Sequence, residues 1–346
     1  MTTWPVQTNA TGGGAGAAGS AQQAANTFVP KIWSDEVLIQ REKNLIAANF
    51  FKRMNHKGKK GDTIVVPFIS DMHAFAKVTT ASVTIQSQKE GLINIVLDKH
   101  FEASKLYEDF FMVQQRYDLR GEYTKKAGYA LSLLLDSYLL ALPAATVVID
   151  GTTGAITFTE SVPAAGNLPA NYRVIGSDGI TAWDNTSAGN AADISDAGLR
   201  RMIQTLDDNN VPADDRALFI PPSQKNALLG IDKFTLYQNI GRTKELATGM
   251  FGEIYGIKVM VTTNCPTVLA ADGTTSVRQC VLAHKDALCS AIQMDVRVQA
   301  QYKQEYLATL VTSDMIYGVK GLRLDADDTT TSNHRASHAV VAYVPA

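Results

Sequence analysis

Cysteine is scarce in this chain, with three residues in 346, all between positions 265 and 289. An odd, clustered set does not make a disulfide scaffold; it reads as reduced thiols made in a cytoplasm. A basic excess is missing too. Lys plus Arg is 32 against 34 for Asp plus Glu, a net charge of −2, which argues against a dedicated nucleic-acid binder with a basic face. No stretch reaches the roughly 18 uncharged apolar residues of a membrane span. The nearest, Ala127–Leu142, is 16 residues long and carries Ser132, Asp136 and Ser137. The first residues have neither a basic segment nor a continuous apolar one, so no signal peptide and no membrane partner are read.

Catalytic signatures are absent as well. The glycines of TGGGAGAAGS are followed by no Lys-Ser or Lys-Thr and preceded by no strand, so they form no phosphate loop. Cys280, His284 and Cys289 are ligand types, but no fourth partner lies near, and zinc sites show two close pairs. Cys280 sits among apolar neighbours, where a thiol behaves as a small hydrophobe. Asp325 to Thr330 looks like the start of a calcium loop, but Thr330 stands where glycine is needed and Ala336 where glutamate is. His334 and His338 are four apart, yet their flanks read as loop into strand, so Arg335 between them is given a surface or interface role. Asp207-Asp208 and Asp214-Asp215 fall at a helix end and in a turn, where Asp bonds local backbone. Catalytic residues, cofactors and metals are therefore all read as none.

What the chain does have is a long helix. Residues Gln114 to Leu142 place Leu119, Tyr123, Ala127, Ala130, Leu134, Tyr138 and Ala141 at spacings of three and four. Arg116, Asp118, Arg120, Glu122, Lys125 and Lys126 charge its first half; from Ala127 on, only Asp136 is charged. The spacing predicts a strut that starts on wet surface, enters a core and stops at Pro143. The length predicts two domains, and an apolar fraction of 45% allows a sizeable core.

Around that helix the parts follow in order. Residues 1–27 are a Gly/Ala-rich flexible arm. Residues 28–59 hold a helix capped by Ser34 and a basic turn, His56–Gly61. Residues 60–100 are β-like. Thr63–Phe68 is an edge run because of Pro67, and Val83–Ser87 pairs with Ile93–Leu97 through a turn at Ser87–Gly91. Such a hairpin is marginal alone, and Glu102–Arg116 reads as a short polar helix that gives it no support. Residues 101–145 hold the long helix, and 146–192 read as a loop-rich surface insertion. Residues 193–300 bring an Asp193–Asn210 helix capped by Ser195, the strand Arg216–Ile220, and a helix opened by Pro221-Pro222 and ended by Gly230 in a left-handed cap. A polar stretch, Ile231–Gly249, precedes the strands Ile257–Thr262, Val277–Ala283 and Ala291–Val298. Residues 301–346 add Ala308–Ile316 and His338–Val344. The pattern is α+β, without regular βαβ alternation.

One ordered set of motifs narrows this. Arg216–Pro222 is an arginine-led strand ending in prolines. A short Leu-rich helix at Ala227–Leu229 and the polar loop Ile231–Thr248 come next, then Gly252 to Gly256 before Ile257-Lys258-Val259. With the opening FVPKIWSDEVLIQREKNLIAANFFKR at Phe28–Arg53, this resembles the major capsid proteins of tailed phages with the Hong Kong 97-type fold, and podophage members in particular. The resemblance runs from Phe28 to Val344.

It implies that residues 60–100 are an extended E-loop lying across an adjacent subunit, and that Gln114–Leu142 is the spine helix of a P-domain. It implies an A-domain at about 193–300 that surrounds five-fold and six-fold axes, and C-terminal strands that return to the P-domain. Implied partners are the chain itself in hexamers and pentamers, a separate scaffolding protein, a portal protein and a possible decoration protein. The shell would enclose double-stranded DNA without sequence-specific binding, as a virion capsid whose chain is synthesised in the host cytoplasm. Candidate subunit contacts are Lys77, Lys89, Glu90 and Lys99 on the loop, Arg116, Asp118, Arg120 and Glu122 on the helix, and Arg242 and Lys244. No loop lysine is marked as reactive. An encapsulin-type nanocompartment shell is the alternative, and a hydrolase using Cys280 and His284 a distant one.

Overall fold

The computed structural model describes residues 42–43, 45–56, 61–69, 72, 74–80, 82–85, 90–114, 120–160, 168–231, 252–322 and 338–346. The expectations for the arm, for Ser34, for Ile231–Gly249 and for residues 325–336 therefore lie outside the described residues or almost wholly so.

Two sheets carry the fold. The first has four strands in the order β1 (Lys52–Asn55), β13 (Leu288–Lys303), β14 (Ala308–Gly321) and β4 (Lys99–Glu108). The second is built around β12 (Ser276–His284), which pairs antiparallel with β15 (Ala339–Pro345), β8 (Arg216–Ile220) and β11 (Thr267–Leu269). It extends through β10 (Ile257–Val261) to β9 (Glu253–Ile254) on one side and to β7 (Arg173–Ile175) on the other. Two hairpins stand apart: β2 (Thr63–Ile69) with β3 (Glu90–Val96), and β5 (Ala145–Ile149) with β6 (Ile156–Glu160). Among the described residues the α-helices are α1 (Ala47–Phe50), α2 (Asp109–Gln114), α3 (Arg120–Ala141), α4 (Asp196–Asp208) and α5 (Pro222–Leu229).

The long helix is present over Arg120–Ala141, with residues 115–119 outside the described set. Its wet-to-buried gradient holds. Tyr123 is 40% exposed, whereas Leu131, Leu135, Leu139 and Leu140 are almost fully covered. The buried stripe is not the expected one, since Ala130 is exposed and Leu134 only half-buried. So many positions past Ala127 are apolar that spacing alone leaves the inward face undecided. Packing decides it: Tyr138 stacks on Phe101 of β4 at 5.7 Å and meets Tyr317 of β14 at 6.2 Å.

Several expectations are corrected. Glu102–Glu108 is strand, not helix: Phe101, Ala103 and Tyr107 turn inward while His100, Glu102 and Ser104 turn outward. That is a period of two hidden among helix-forming residue types. Among the described residues of the helix expected in 28–59, Ala47–Phe50 is helical, and Lys52–Asn55 leaves it as a strand parallel to β13. Gly230 closes α5 with φ −77°, an ordinary right-handed cap. Residues 146–192 are not a mere surface insertion. β7 adds to the large sheet beside β15, Leu168 and Val174 are buried, and Trp183 stacks on Tyr343 at 4.6 Å.

The expected units 193–300 and 301–346 also divide differently. β13 and β14 belong together to the four-stranded sheet, while the last strand, β15, returns to the large one. Other readings stand as made. Ser195 caps α4 by accepting from the Gly198 amide at 3.0 Å, and Arg216–Ile220 is a wholly buried strand.

Candidate assembly surfaces

The β2–β3 hairpin is the feature that a lone chain does not explain. Its arms are Thr63–Ile69 and Glu90–Val96, paired from Thr63↔Val96 to Ile69↔Glu90. The expected pairing of Val83–Ser87 is not what forms: Ser82–Ile85 is no strand, and Ile85 is 89% exposed. Glu90 and Gly91 lie in β3 rather than in a turn. Pro67 is tolerated because a two-stranded ribbon has only edges.

Alternation gives the ribbon two faces. Ile64, Val66, Ile93 and Ile95 point to a small cluster with Leu97, Cys289, Ala291 and Leu322. That cluster roots the ribbon on β13. The Leu97 amide donates to Asp62 O at 2.7 Å, and Gln293 Nε2 donates to Gly61 O at 3.0 Å. Gly318 makes the crossing possible, because a Cβ there would stand 2.2 Å from the Val96 carbonyl oxygen. The opposite face carries Val65, Ile69, Leu92 and Val96, all exposed. Beyond the arms Met72, Phe75 and Val78 are exposed as well. A contiguous apolar face of this kind marks an interaction surface.

A second exposed apolar group sits at the far end of the four-stranded sheet. Leu106, Phe110, Tyr306 and Leu307 are all exposed there. The end is tied by the Asp109 amide to Leu307 O at 3.1 Å and by Tyr302 Oη to Asp109 at 2.8 Å.

The charged candidates are not gathered into one site. Lys77 Nζ donates to the adjacent Val78 O at 2.8 Å. Lys99 pairs with Asp98 at 2.9 Å and lies over the Tyr138 ring at 5.2 Å. Glu122 pairs with Lys125 at 2.8 Å. Glu90 lies in β3 and Arg120 begins α3. Lys89, Arg116, Asp118, Arg242 and Lys244 lie outside the described residues.

The sequence reading passed over a buried polar junction. Asp136, fully buried on α3, accepts from the Ala47 amide at 2.7 Å and the Ala48 amide at 3.2 Å. It also accepts from Asn264 Nδ2 at 3.0 Å, and Asn264 Oδ1 accepts from Ser137 Oγ at 3.2 Å. Burial pushes the Asp136 carboxyl above its ordinary pKa despite those bonds. The available signal was a single acid in an otherwise uncharged half-helix. On the four-stranded sheet, Arg297 grips Asp314 with Nε at 3.1 Å and Nη2 at 2.8 Å, and His100 lies 3.3 Å away. The guanidinium holds Asp314 below its ordinary pKa.

The rival chemistry fares poorly. Cys280 is fully buried on β12, and burial drives its thiol pKa far up, so a nucleophilic thiolate is disfavoured. His284 meets His338 edge to face at 5.7 Å, and both rings are buried. Among the described residues no group of three His, Cys, Asp or Glu side chains is placed to hold a metal. No helix there is long and apolar enough to cross a membrane.

Comparison with known proteins closes the site. A family model described as phage capsid protein matches residues 54–327. No curated protein sequence matches the chain. Among solved structures, the capsid of the cyanophage P-SCSP1u superposes with a TM-score of 0.66 at 18% identity, covering 92% of this chain and 94% of that one. The capsid asymmetric unit of cyanophage Pam1 gives 0.64 at 12% identity, covering 92% and 97%. A chain from Mycobacterium phage Che8 gives 0.63 at 18% identity, covering 91% and 97%. The shared fold is the Hong Kong 97-type capsid fold, and a phage model rather than a nanocompartment one is matched.

Proposed function

Because the chain belongs to the phage capsid protein family, it is a major capsid protein of the tailed-phage type, and we propose that its shell is held by the β2–β3 hairpin of each copy lying across the next. The carrying observation is the apolar face of Val65, Ile69, Leu92 and Val96, which is exposed among the described residues. Exposed apolar area of this kind gains about 25 cal/mol per Å² when a neighbour covers it. Exposed charge pairs such as Glu122–Lys125 add only about 0–1 kcal/mol each.

In this reading the four-stranded sheet with α3 is the peripheral part and the large sheet the axial part. The copies form hexamers and pentamers around double-stranded DNA. The near-neutral net charge of −2 suits a wall that does not clamp its contents. The protein is structural and resides in the virion. We assign its synthesis to the host cytoplasm, its assembly to a separate scaffolding protein, and one vertex to a portal protein. A decoration protein is an optional outer partner.

The test replaces Leu92 by Lys. The variant folds with an unchanged unfolding midpoint and forms no shells in electron micrographs, whereas normal shells from it would refute the hairpin contact.

A further inference from the structure

Three side chains from separate parts of the chain meet at the buried junction on α3. Asn264, in the turn after β10, and Asp136, on α3, are both fully buried. Asn264 Nδ2 donates to Asp136 Oδ2 at 3.0 Å. The third is Lys43, whose Nζ donates to Asn264 Oδ1 at 3.5 Å from 221 residues away in sequence. The second carboxylate oxygen, Asp136 Oδ1, is taken up by the Ala47 and Ala48 amides.

The backbone around Lys43 is fastened at two points. Its own amide donates to Tyr129 Oη at 2.7 Å, and the Ala47 and Ala48 amides bind Asp136, on the same face of α3 as Tyr129. The segment is thus laid along the helix with an amine against a carboxamide. Lys43 is exposed, so its stem reaches the junction from solvent. An amine, a carbonyl and an acid now stand in a row, with the acid at the nitrogen of the carboxamide and the amine at its oxygen, one bond from Cγ. Holding reacting groups in this way removes much of the entropic part of a barrier. Burial makes Asp136 keep its proton to higher pH than an exposed carboxyl does, which suits it to carry a proton to a leaving nitrogen.

We propose that Lys43 and Asn264 become joined by an amide bond within one chain, with Asp136 as the proton carrier. The Lys43 ammonium first loses a proton to water. The freed Nζ pair attacks Asn264 Cγ, and the carbonyl π pair moves onto Oδ1. Ser137 Oγ stands 3.2 Å from Oδ1 and donates to it there, turning from Leu133 O. Asp136 gives its proton to Nδ2 and takes one from Nζ. The Cγ–Nδ2 bond then breaks, the carbonyl re-forms, and ammonia leaves along the lysine's path to solvent. One amide nitrogen replaces another, so there is no net oxidation or reduction and no co-reactant is consumed. The bond ties the segment before α1 to the turn after β10, across α3. It lies within a single subunit and uses none of the hairpin lysines, so it stands or falls apart from the shell reading.

The experiment holds the purified full-length chain at about pH 7 and about pH 9, folded and in denaturant, and follows intact mass and the peptide map over days. The expected product is lighter by one ammonia, and its digest contains a branched peptide joining Lys43 to Asn264. It accumulates faster at the higher pH, where more amine is free, and only in the folded chain. Lys43→Arg, which keeps the exposed positive charge, and Asp136→Asn, which keeps the shape, both lose the branched peptide. A folded wild type without the branched peptide at either pH, an ammonia loss that persists in Lys43→Arg, or a link that a folded Asp136→Asn forms at the wild-type rate would overturn the proposal. Where Asp136→Asn folds poorly, wild type against Lys43→Arg decides.

Discussion

Two buried or gripped carboxylates set opposite pH dependences at the residue scale. Asp136 is raised by burial, against the hydrogen bonds from Asn264 and the amides of residues 46–48. A carboxyl whose folded pKa is raised favours the fold below its unfolded pKa, and that contribution is lost as pH rises through the folded value. Asp314 is lowered, first by Arg297, so its contribution is present above the ordinary carboxylate pKa and lost on acidification. Asp136→Asn removes the first dependence. The stability advantage of wild type over this variant shrinks as pH climbs from about 4 towards 7, as read from unfolding midpoints across that range. An advantage that grows with pH would mean the bonds outweigh burial. Asp136→Ala strips the acceptor from the Ala47 and Ala48 amides and from Asn264. It costs about 2–4 kcal/mol in denaturant titration, because buried donors are left unmet.

Among the elements, the hairpin root is the tightest point. A methyl at Gly318 meets the Val96 carbonyl oxygen at 2.2 Å, which is backbone and cannot swing aside. Gly318→Ala therefore displaces β3 or unseats Ile95 and Leu97, at a cost of about 1–3 kcal/mol. Thermal unfolding together with proteolysis of the hairpin measures it, and a variant as stable and as resistant as wild type would show that the crossing is looser.

Elements whose residues carry their own signal were legible in the sequence. Ser195 at its cap, the strand Arg216–Ile220 with its apolar run Ala217–Ile220, and the proline entry to α5 all read correctly. So did the long helix, through its period, though not its inward face. β4 was missed because His100, Glu102, Ser104 and Glu108 suit a helix, and only pairing with β14 makes the alternation meaningful. The hairpin was placed in the right segment but with the wrong partner, since Val83 and Ile85 alternate as well as Val65 does. Register is weakly specified where one face is exposed. The Asp136–Asn264 junction joins residues 128 apart in sequence, which no local pattern can reveal.

For the whole molecule, two exposed apolar groups frame one account. The hairpin face and the far end of the four-stranded sheet are both surplus to a monomer and both fit a subunit that is covered by copies of itself. Folding and assembly are then separable. Val65 and Leu92 touch solvent, so Val65→Lys with Leu92→Lys shifts monomer stability by no more than about 0.5 kcal/mol each. The same changes place charge in every hairpin contact of a shell, where an unpaired buried charge is strongly unfavourable.

Negative-stain electron microscopy with light scattering, on wild type and on that double variant, each alone and with a candidate scaffolding protein, tests the central claim most directly. The account predicts rings or closed shells from the wild type, and a folded variant that stays smaller than a ring under both conditions. A wild type that remains monomeric throughout, or a double variant that builds normal shells, would contradict it.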